Sequence, residues 1–133
     1  MHEILAFLPK RIVDALEAIP QIQTNMVEEI RVRLNRPLEV ISGGNPIFLP
    51  YIVHPEDGVQ LLNKLSNFSM YTLEEELKRG YITIAGGHRV GLAGKVILEA
   101  GKVKAIRDVS SFNIRIAREK IGIAEQLLPY IYT

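Results

Sequence analysis

The arginines and glycines between Arg79 and Arg118 are the residues of this sequence with the greatest capacity for chemistry. Arginine carries a planar, permanently charged guanidinium that binds phosphate or carboxylate through paired hydrogen bonds. Arg115 stands between Ile114 and Ile116, so on a strand it faces away from their apolar side. An anion-binding face is one interpretation of this pattern. The alternative is a solvated face whose arginines form ion pairs with carboxylates such as Glu28, Glu29 and Asp108.

The glycines of this stretch do not form a phosphate-binding loop. Such a loop reads G-x-x-x-x-G-K followed by Ser or Thr, because backbone amides, the lysine and the hydroxyl each hold part of the phosphate and its magnesium. Gly94-Lys95 and Gly101-Lys102 are both followed by valine. We therefore expect no nucleotide or other cofactor to be bound by this chain alone.

The histidines offer little for catalysis or metal binding. His2, His54 and His88 are far apart, without the short helical spacings of zinc ligands, and there is no cysteine. His88 with Asp108 and either Ser110 or Ser111 would make a hydrolytic triad only by chance of geometry. The sequence predicts no catalytic residue and no metal site, and a hydrolase that uses His88 remains a distant alternative.

Charge is divided unequally along the chain, although the formal net charge is only +1. Before Lys78, eleven acidic residues stand against six basic ones; from Lys78 to Lys120, ten basic residues stand against three acidic ones. Oppositely charged surfaces favour head-to-tail packing of neighbouring subunits. The alternative is a basic nucleic-acid-binding module, in which Arg89, Lys95, Lys102, Lys104 and Arg115 follow a phosphate backbone.

The elements that must position these residues can be assigned from periodicity. Apolar residues at helical spacing predict a short helix to Leu8 and a longer one from Pro9 to Ala18, a helical subregion within residues 1–20. A helix entered at His54-Pro55 is expected to bury Val59, Leu62 and Leu65. A capping box at Thr72 to Glu75 begins another helix, which ends at Gly80, and Ile123, Leu127 and Leu128 predict a last one.

The strands follow from alternation and from turn residues. Glu29 to Leu34 and Leu38 to Ile41 predict a hairpin around Asn35-Arg36-Pro37, and the prolines of Asn45 to Pro50 favour a sheet edge. The second half predicts a meander with turns at Ala85 to Gly87, Glu99 to Gly101 and Arg107-Asp108, and with a bulge or bend at Gly91 and Gly94. Its strands are Tyr81 to Ile84, Arg89 to Leu98, Lys102 to Ile106 and Ser111 to Arg118. The predicted fold class is α+β: an antiparallel sheet, made of the N-terminal hairpin and the C-terminal meander, packed with three or four helices.

Several long strings of residues resemble the stage III sporulation protein AA family. They are EEIRVR with RPL (28–33, 36–38), YTLEEEL to GYIT (71–77, 80–83), GGHRVGLAG (86–94) and RDVSSFNIRIAR (107–118). The family is a sporulation-specific relative of the type II and type IV secretion ATPases, whose P-loop domain lies further toward the C-terminus. The resemblance implies that residues 1–133 are a single N-terminal domain of a larger ATPase, with the C-terminal P-loop domain absent.

This resemblance also implies a function and a set of site residues. The domain would regulate and assemble a ring-forming ATPase in endospore formation, which binds ATP and Mg in the full-length parent. Arg115 and Arg118, then Arg89 and Arg107, are the candidate contacts to nucleotide held by the absent ATPase domain. The implied partners are that ATPase domain, further copies in a homo-oligomeric ring and membrane proteins of the channel between mother cell and forespore. Nucleic acid is not an expected partner, and the location is the mother-cell cytoplasm, peripheral to the membrane.

Overall fold

The computed structural model describes residues 2–19, 26–68, 80–100 and 102–117. Within these ranges three helices and six strands follow one another along the chain. The helices are α1 (His2–Phe7), α2 (Lys10–Glu17) and α3 (Pro55–Phe68). The strands are β1 (Val27–Arg33), β2 (Pro37–Ser42), β3 (Asn45–Ile52), β4 (Tyr81–Thr83), β5 (Arg89–Glu99) and β6 (Lys102–Arg115).

All six strands form one antiparallel sheet in the order β3-β2-β1-β6-β5-β4. Each half of the chain folds as its own meander, because short turns join antiparallel neighbours at little entropic cost. The two meanders meet where β1 pairs with β6, with Ile30 opposite Ile114 and Arg33 opposite Ser111. This long-range pairing brings the arginines of the two halves onto one sheet.

The core lies on one face of the sheet, where one residue from each strand forms a continuous apolar row. Since side chains alternate across a strand, in-register pairing aligns every second residue of six strands. The row is Ile47, Val40, Ile30, Ile114, Val90 and Ile82, of which all but Ile47 are fully buried. Burying each such side chain stabilises the fold by about 1.5–3 kcal/mol.

The three helices pack on this same face. Their buried residues, Ile4 and Phe7 of α1, Ile12 and Leu16 of α2, and Leu61 and Leu65 of α3, belong to the core cluster of the sheet. The ammonium of Lys64 fixes α1 to α3 by donating to the carbonyl oxygens of Ala6 and Leu8. The other face of the sheet therefore carries the polar half of each strand pattern.

The predicted fold class is confirmed, as are the hairpin, the break at Pro9 and the edge position of the proline-containing strand. Asn35 turns the hairpin with a φ of 64°, a left-handed conformation that asparagine adopts more readily than most residues. Between Ala93 and Lys95 of β5 the partner on β6 changes from Ser111 to Arg107, so the irregularity predicted for the glycine pair lies at Gly94, with the extra residues on β6.

Two predictions about these elements are wrong. Residues 102–115 form one strand rather than two, because Asp108 absorbs the irregularity at a φ of 50° and the long partner β5 continues the pairing past it. On α3, Leu65 is buried as predicted, but Val59 and Leu62 are exposed, and Leu61 is buried instead of them. Both sets fit a helical repeat, and only docking on the sheet selects between them. The capping-box helix before Gly80 and the last helix lie outside the described residues.

Candidate functional site

The polar face of the sheet carries the candidate site, and pairing register sets its layout. One transverse row crosses the sheet from edge to edge: Phe48, Glu39, Arg31, Asn113, Gly91 and Tyr81. A neighbouring row runs through Glu29, Arg115, Arg89 and Thr83. Two separate stretches of sequence thus place four arginines, including Arg33, on one surface, which we call the open face.

A pocket of about 250 Å³ lies on the open face around Arg89 and Arg115. The two arginines are direct cross-strand partners on β5 and β6, and both are exposed. Gly80, Tyr81, Gly91 and Asn113 complete the described lining, and none of these residues carries a carboxylate. Because Gly91 has no side chain, space remains beside the two guanidinium groups.

The two guanidinium groups of this pocket differ in how they are held. The Cζ of Arg89 lies 4.8 Å from the ring centroid of Tyr81, a cation–π arrangement that fixes the group over the ring face. Arg115 makes no hydrogen bond or ion pair with any described residue. Two like charges side by side with no anion among the lining residues favour the binding of an anion.

The arginines of β1 are committed to carboxylates instead. Arg31 donates from Nε to Glu29 at 2.8 Å and from Nη1 to Glu39 at 3.3 Å, and Arg33 donates from Nη1 to Glu39 at 3.2 Å. The hydrogen bond and charge of Glu29 raise the pKa of Arg31. Ion pairing on this part of the face was the alternative to anion binding, and it holds for Arg31 and Arg33. The sequence did not predict that Glu39, which is nearly buried, would form ion pairs with these two arginines.

His88 is a structural residue rather than a catalytic one. Its ring is buried, and Nδ1 accepts a hydrogen bond from the backbone N–H of Ala117 at 2.9 Å. The neutral ring therefore carries its proton on Nε2, which lies 3.1 Å from Oε1 of Glu3. This hydrogen bond lowers the pKa of Glu3. Since both ring nitrogens are occupied, His88 joins α1 to the end of β6 and cannot serve a triad with Asp108 and Ser110.

Of the four arginines predicted as site residues, the structure brings Arg89 and Arg115 together. Arg107 lies on β6 opposite Lys95, with its side chain outside the described set, and Arg118 lies outside the described residues altogether. Sequence reasoning missed Tyr81 and Asn113. The period of two in Asn113-Ile114-Arg115 could have indicated Asn113, whereas Tyr81 required the strand pairing.

The described ranges also bear on metal binding and on membrane spanning. No group of three or more His, Asp or Glu residues there is arranged to hold a metal ion. No helix in those ranges is long and apolar enough to cross a membrane.

Comparison with known proteins gives consistent matches. The family model described as "Sporulation stage III, protein AA" matches residues 1–133. The chain is 59% identical over 132 residues to stage III sporulation protein AA of Bacillus subtilis (strain 168), covering 99% of this chain and 43% of that protein. A weaker structural likeness is to the VirB11 ATPase of the Brucella suis type IV secretion system, solved in complex with sulphate. It has 13% identity and a TM-score of 0.44 over 93% of this chain and 37% of that one. At that level neither fold nor function transfers.

Proposed function

The chain belongs to the stage III sporulation protein AA family, and we propose that it is the N-terminal regulatory and assembly domain of a larger ATPase that acts in endospore formation. The chain spans 43% of the length of its curated relative, so the proposal places a P-loop ATPase domain, with its ATP and Mg, in the remaining part. The proposed partners are that domain, further copies in a ring and membrane proteins of the channel between mother cell and forespore. The proposed location is the mother-cell cytoplasm, at the membrane periphery.

The observation that supports this proposal is the pocket around Arg89 and Arg115. A phosphoryl group in transfer spreads negative charge over its oxygens, and a fixed arginine that approaches them stabilises the transition state. Arg115 has no ionic partner among the described residues, and none of the described residues that line the pocket is a carboxylate. In the proposed assembly, these two arginines reach the phosphates of a nucleotide bound by another domain of the ring.

The decisive experiment is Arg115→Gln in the full-length protein. An arginine that acts in trans on phosphoryl transfer contributes on the order of 10³-fold to kcat, so we expect a large fall in ATPase turnover and loss of sporulation. Lys10→Gln is the matched control, because it removes one positive charge from α2, where Lys10 contacts only its exposed neighbour Asp14 among described residues. ATPase activity and sporulation that survive Arg115→Gln at control levels would refute the proposal.

The nucleic-acid alternative receives less support from the same surface. Glu29 and Glu39 lie on the open face and occupy Arg31 and Arg33. A strand of phosphates that crossed this face would meet both carboxylates. Binding of single-stranded nucleic acid that weakens steeply with salt would favour the alternative, and its absence at low salt would eliminate it.

A further inference from the structure

A second pocket, of about 500 Å³, lies on the open face away from Arg89 and Arg115. Arg33, Arg36, Phe48, Ser110 and Ser111 line it, together with Leu34 and Pro37. None of these is a carboxylate. We call it the Arg36 pocket, since Arg36 is its uncommitted cation.

The two guanidinium groups of this pocket have N–H donors that make no hydrogen bond with a described residue. The side chain of Arg36 makes no hydrogen bond or ion pair with a described residue, and Arg33 uses only Nη1, on Glu39. Nε and Nη2 of Arg33 therefore remain available. Two guanidinium groups of this kind match the oxygens of a phosphate, which accepts several hydrogen bonds at once.

The backbone that carries these groups is fixed before any ligand binds. Asn35 donates its N–H to the carbonyl of Val53 at 2.8 Å, and the N–H of Val53 donates to the carbonyl of Arg36 at 2.9 Å. Leu34 donates to the carbonyl of Ser110 at 2.9 Å, which ties the turn to β6. A site that is already ordered loses less entropy when it binds.

The hydroxyls and the aromatic ring define the rest of the ligand. Ser111 pairs with Arg33 across the strands, and Ser110 is held near it by a long hydrogen bond from Oγ to the carbonyl of Ala93 at 3.4 Å. Phe48 is 63% exposed, although phenylalanine is usually buried. An exposed ring beside two cations and two hydroxyls suits a ligand that has a flat, stackable part and an anionic part.

We propose that the Arg36 pocket binds a nucleoside phosphate, with the phosphate on Arg33 and Arg36 and the base against Phe48. Its volume lies within the range of about 300–1,000 Å³ that small-molecule sites occupy. The site differs from the one around Arg115, because Ser111 and Arg115 are four residues apart on β6, a separation of about 13 Å along a strand. This inference does not depend on the proposed ATPase function. It assigns the domain a separate effector site, which uses no phosphate-binding loop and departs from the expectation that this chain alone binds no nucleotide.

The test is a titration of the 133-residue chain with AMP, adenosine and inorganic phosphate, followed by two-dimensional NMR of backbone amides. We expect AMP to shift the amide signals of Leu34, Ser110 and Ser111. Arg36→Gln should weaken AMP binding by about tenfold, the effect of losing one charge-assisted contact. Phe48→Ser should weaken AMP binding while leaving phosphate binding unchanged.

The controls separate this site from the other pocket. Lys10→Gln should leave AMP binding unchanged, and Arg89→Gln should leave the AMP-induced shifts of Leu34, Ser110 and Ser111 in place, because Arg89 does not line the Arg36 pocket. Unchanged affinity for AMP in Arg36→Gln would overturn the inference, and so would shifts confined to the surroundings of Arg89 and Arg115. The absence of any shift at about 10 mM AMP would overturn it too, because a dissociation constant above that concentration is far weaker than a functional site requires. Arg36 is exposed on a turn, so the folding of its variant is not at risk.

Discussion

Replacing Tyr51 by phenylalanine tests how α3 is fixed to the sheet. The hydroxyl of Tyr51 on β3 donates to Oδ2 of Asp57 at 2.5 Å, and the same oxygen accepts the N–H of His54 at 2.9 Å. Asp57 is 1% exposed, and its other oxygen, Oδ1, has no hydrogen-bond partner among the described residues. The first turn of α3 thus holds a buried carboxylate with two hydrogen bonds, of which Tyr51→Phe removes one.

The expected loss of stability follows from the number of hydrogen bonds that the substitution removes. A hydrogen bond to a charged group contributes about 1.5–3 kcal/mol, and here its loss leaves a buried carboxylate less satisfied. We therefore expect the free energy of unfolding to fall by about 2 kcal/mol. For a chain of 133 residues this corresponds to a fall in Tm of roughly 5–10 °C.

A pH series makes the prediction more specific. Burial, then the hydrogen bond and charge of Asp57, raise the pKa of Tyr51 to about 12, against about 10 in the unfolded chain. Below the unfolded value the full contribution of Tyr51 is present. Between the two values the native state retains a proton that the unfolded state has lost, so stability falls as pH rises, by up to about 1.4 kcal/mol per pH unit.

The assay is denaturant unfolding of wild type and Tyr51→Phe at a series of pH values, monitored by circular dichroism. The difference in unfolding free energy between wild type and Tyr51→Phe should be constant up to the tyrosine pKa of the unfolded chain. It should decrease as pH rises toward the pKa of Tyr51 in the native state. Asp57→Asn in both backgrounds supplies a double-mutant cycle, which should show coupling between the two side chains. Parallel stability curves across this pH range, or no coupling in the cycle, would refute the reasoning.

Three further substitutions test other contacts. The hydrogen bond to His88 lowers the pKa of Glu3 in the native state, so it stabilises the fold above the ordinary carboxyl pKa and this stabilisation is lost as pH falls through the lowered native pKa. Glu3→Gln should remove this stabilisation. The difference in Tm between variant and wild type, compared at neutral and acidic pH, measures the effect. Gly86→Ala should cost more than about 2 kcal/mol, because its φ is +93° and a Cβ would lie 2.8 Å from Nε2 of His88; an unchanged midpoint in urea would contradict this. Glu39→Gln should lower the free energy of unfolding in urea by about 1–2 kcal/mol, which is less than the loss of a fully buried ion pair, because Arg31 is one-third exposed and can be solvated. A loss above about 4 kcal/mol would show that solvent does not compensate Arg31 for the lost charge.

The pattern of the sequence was sufficient for much of the fold. Alternation in Glu29 to Leu34 predicted β1 and its two faces, since the period of a strand is a property of the backbone alone. Pro9 and the prolines of β3 predicted a helix boundary and a sheet edge because proline restricts φ and removes a donor. Asn35 predicted a turn because asparagine tolerates a left-handed φ. Which apolar residues of α3 are buried and which are exposed was not predictable, because Leu61 and Leu62 differ only in which of them meets the sheet.

The candidate site shows the same division. Arg89 and Arg115 were identified from their residue type and from the family resemblance, and alternation with Ile114 and Ile116 placed Arg115 on a polar face. Their proximity could not be read from the sequence, because it depends on the register between β5 and β6. Nor could Glu39 be assigned to Arg31, or His88 to Glu3, 85 residues away.

What the sequence determined by itself, then, is local: element types, their polar and apolar faces, the absence of cysteine and the chemistry that each side chain offers. What only the tertiary structure decided is which of those side chains meet. The pairing of β1 with β2 brings Glu39 to Arg31 and Arg33, whereas Arg36 and Arg115 have no ionic partners among the described residues. The reason is physical, since identical guanidinium groups acquire different roles from the neighbours that strand register places within hydrogen-bond distance.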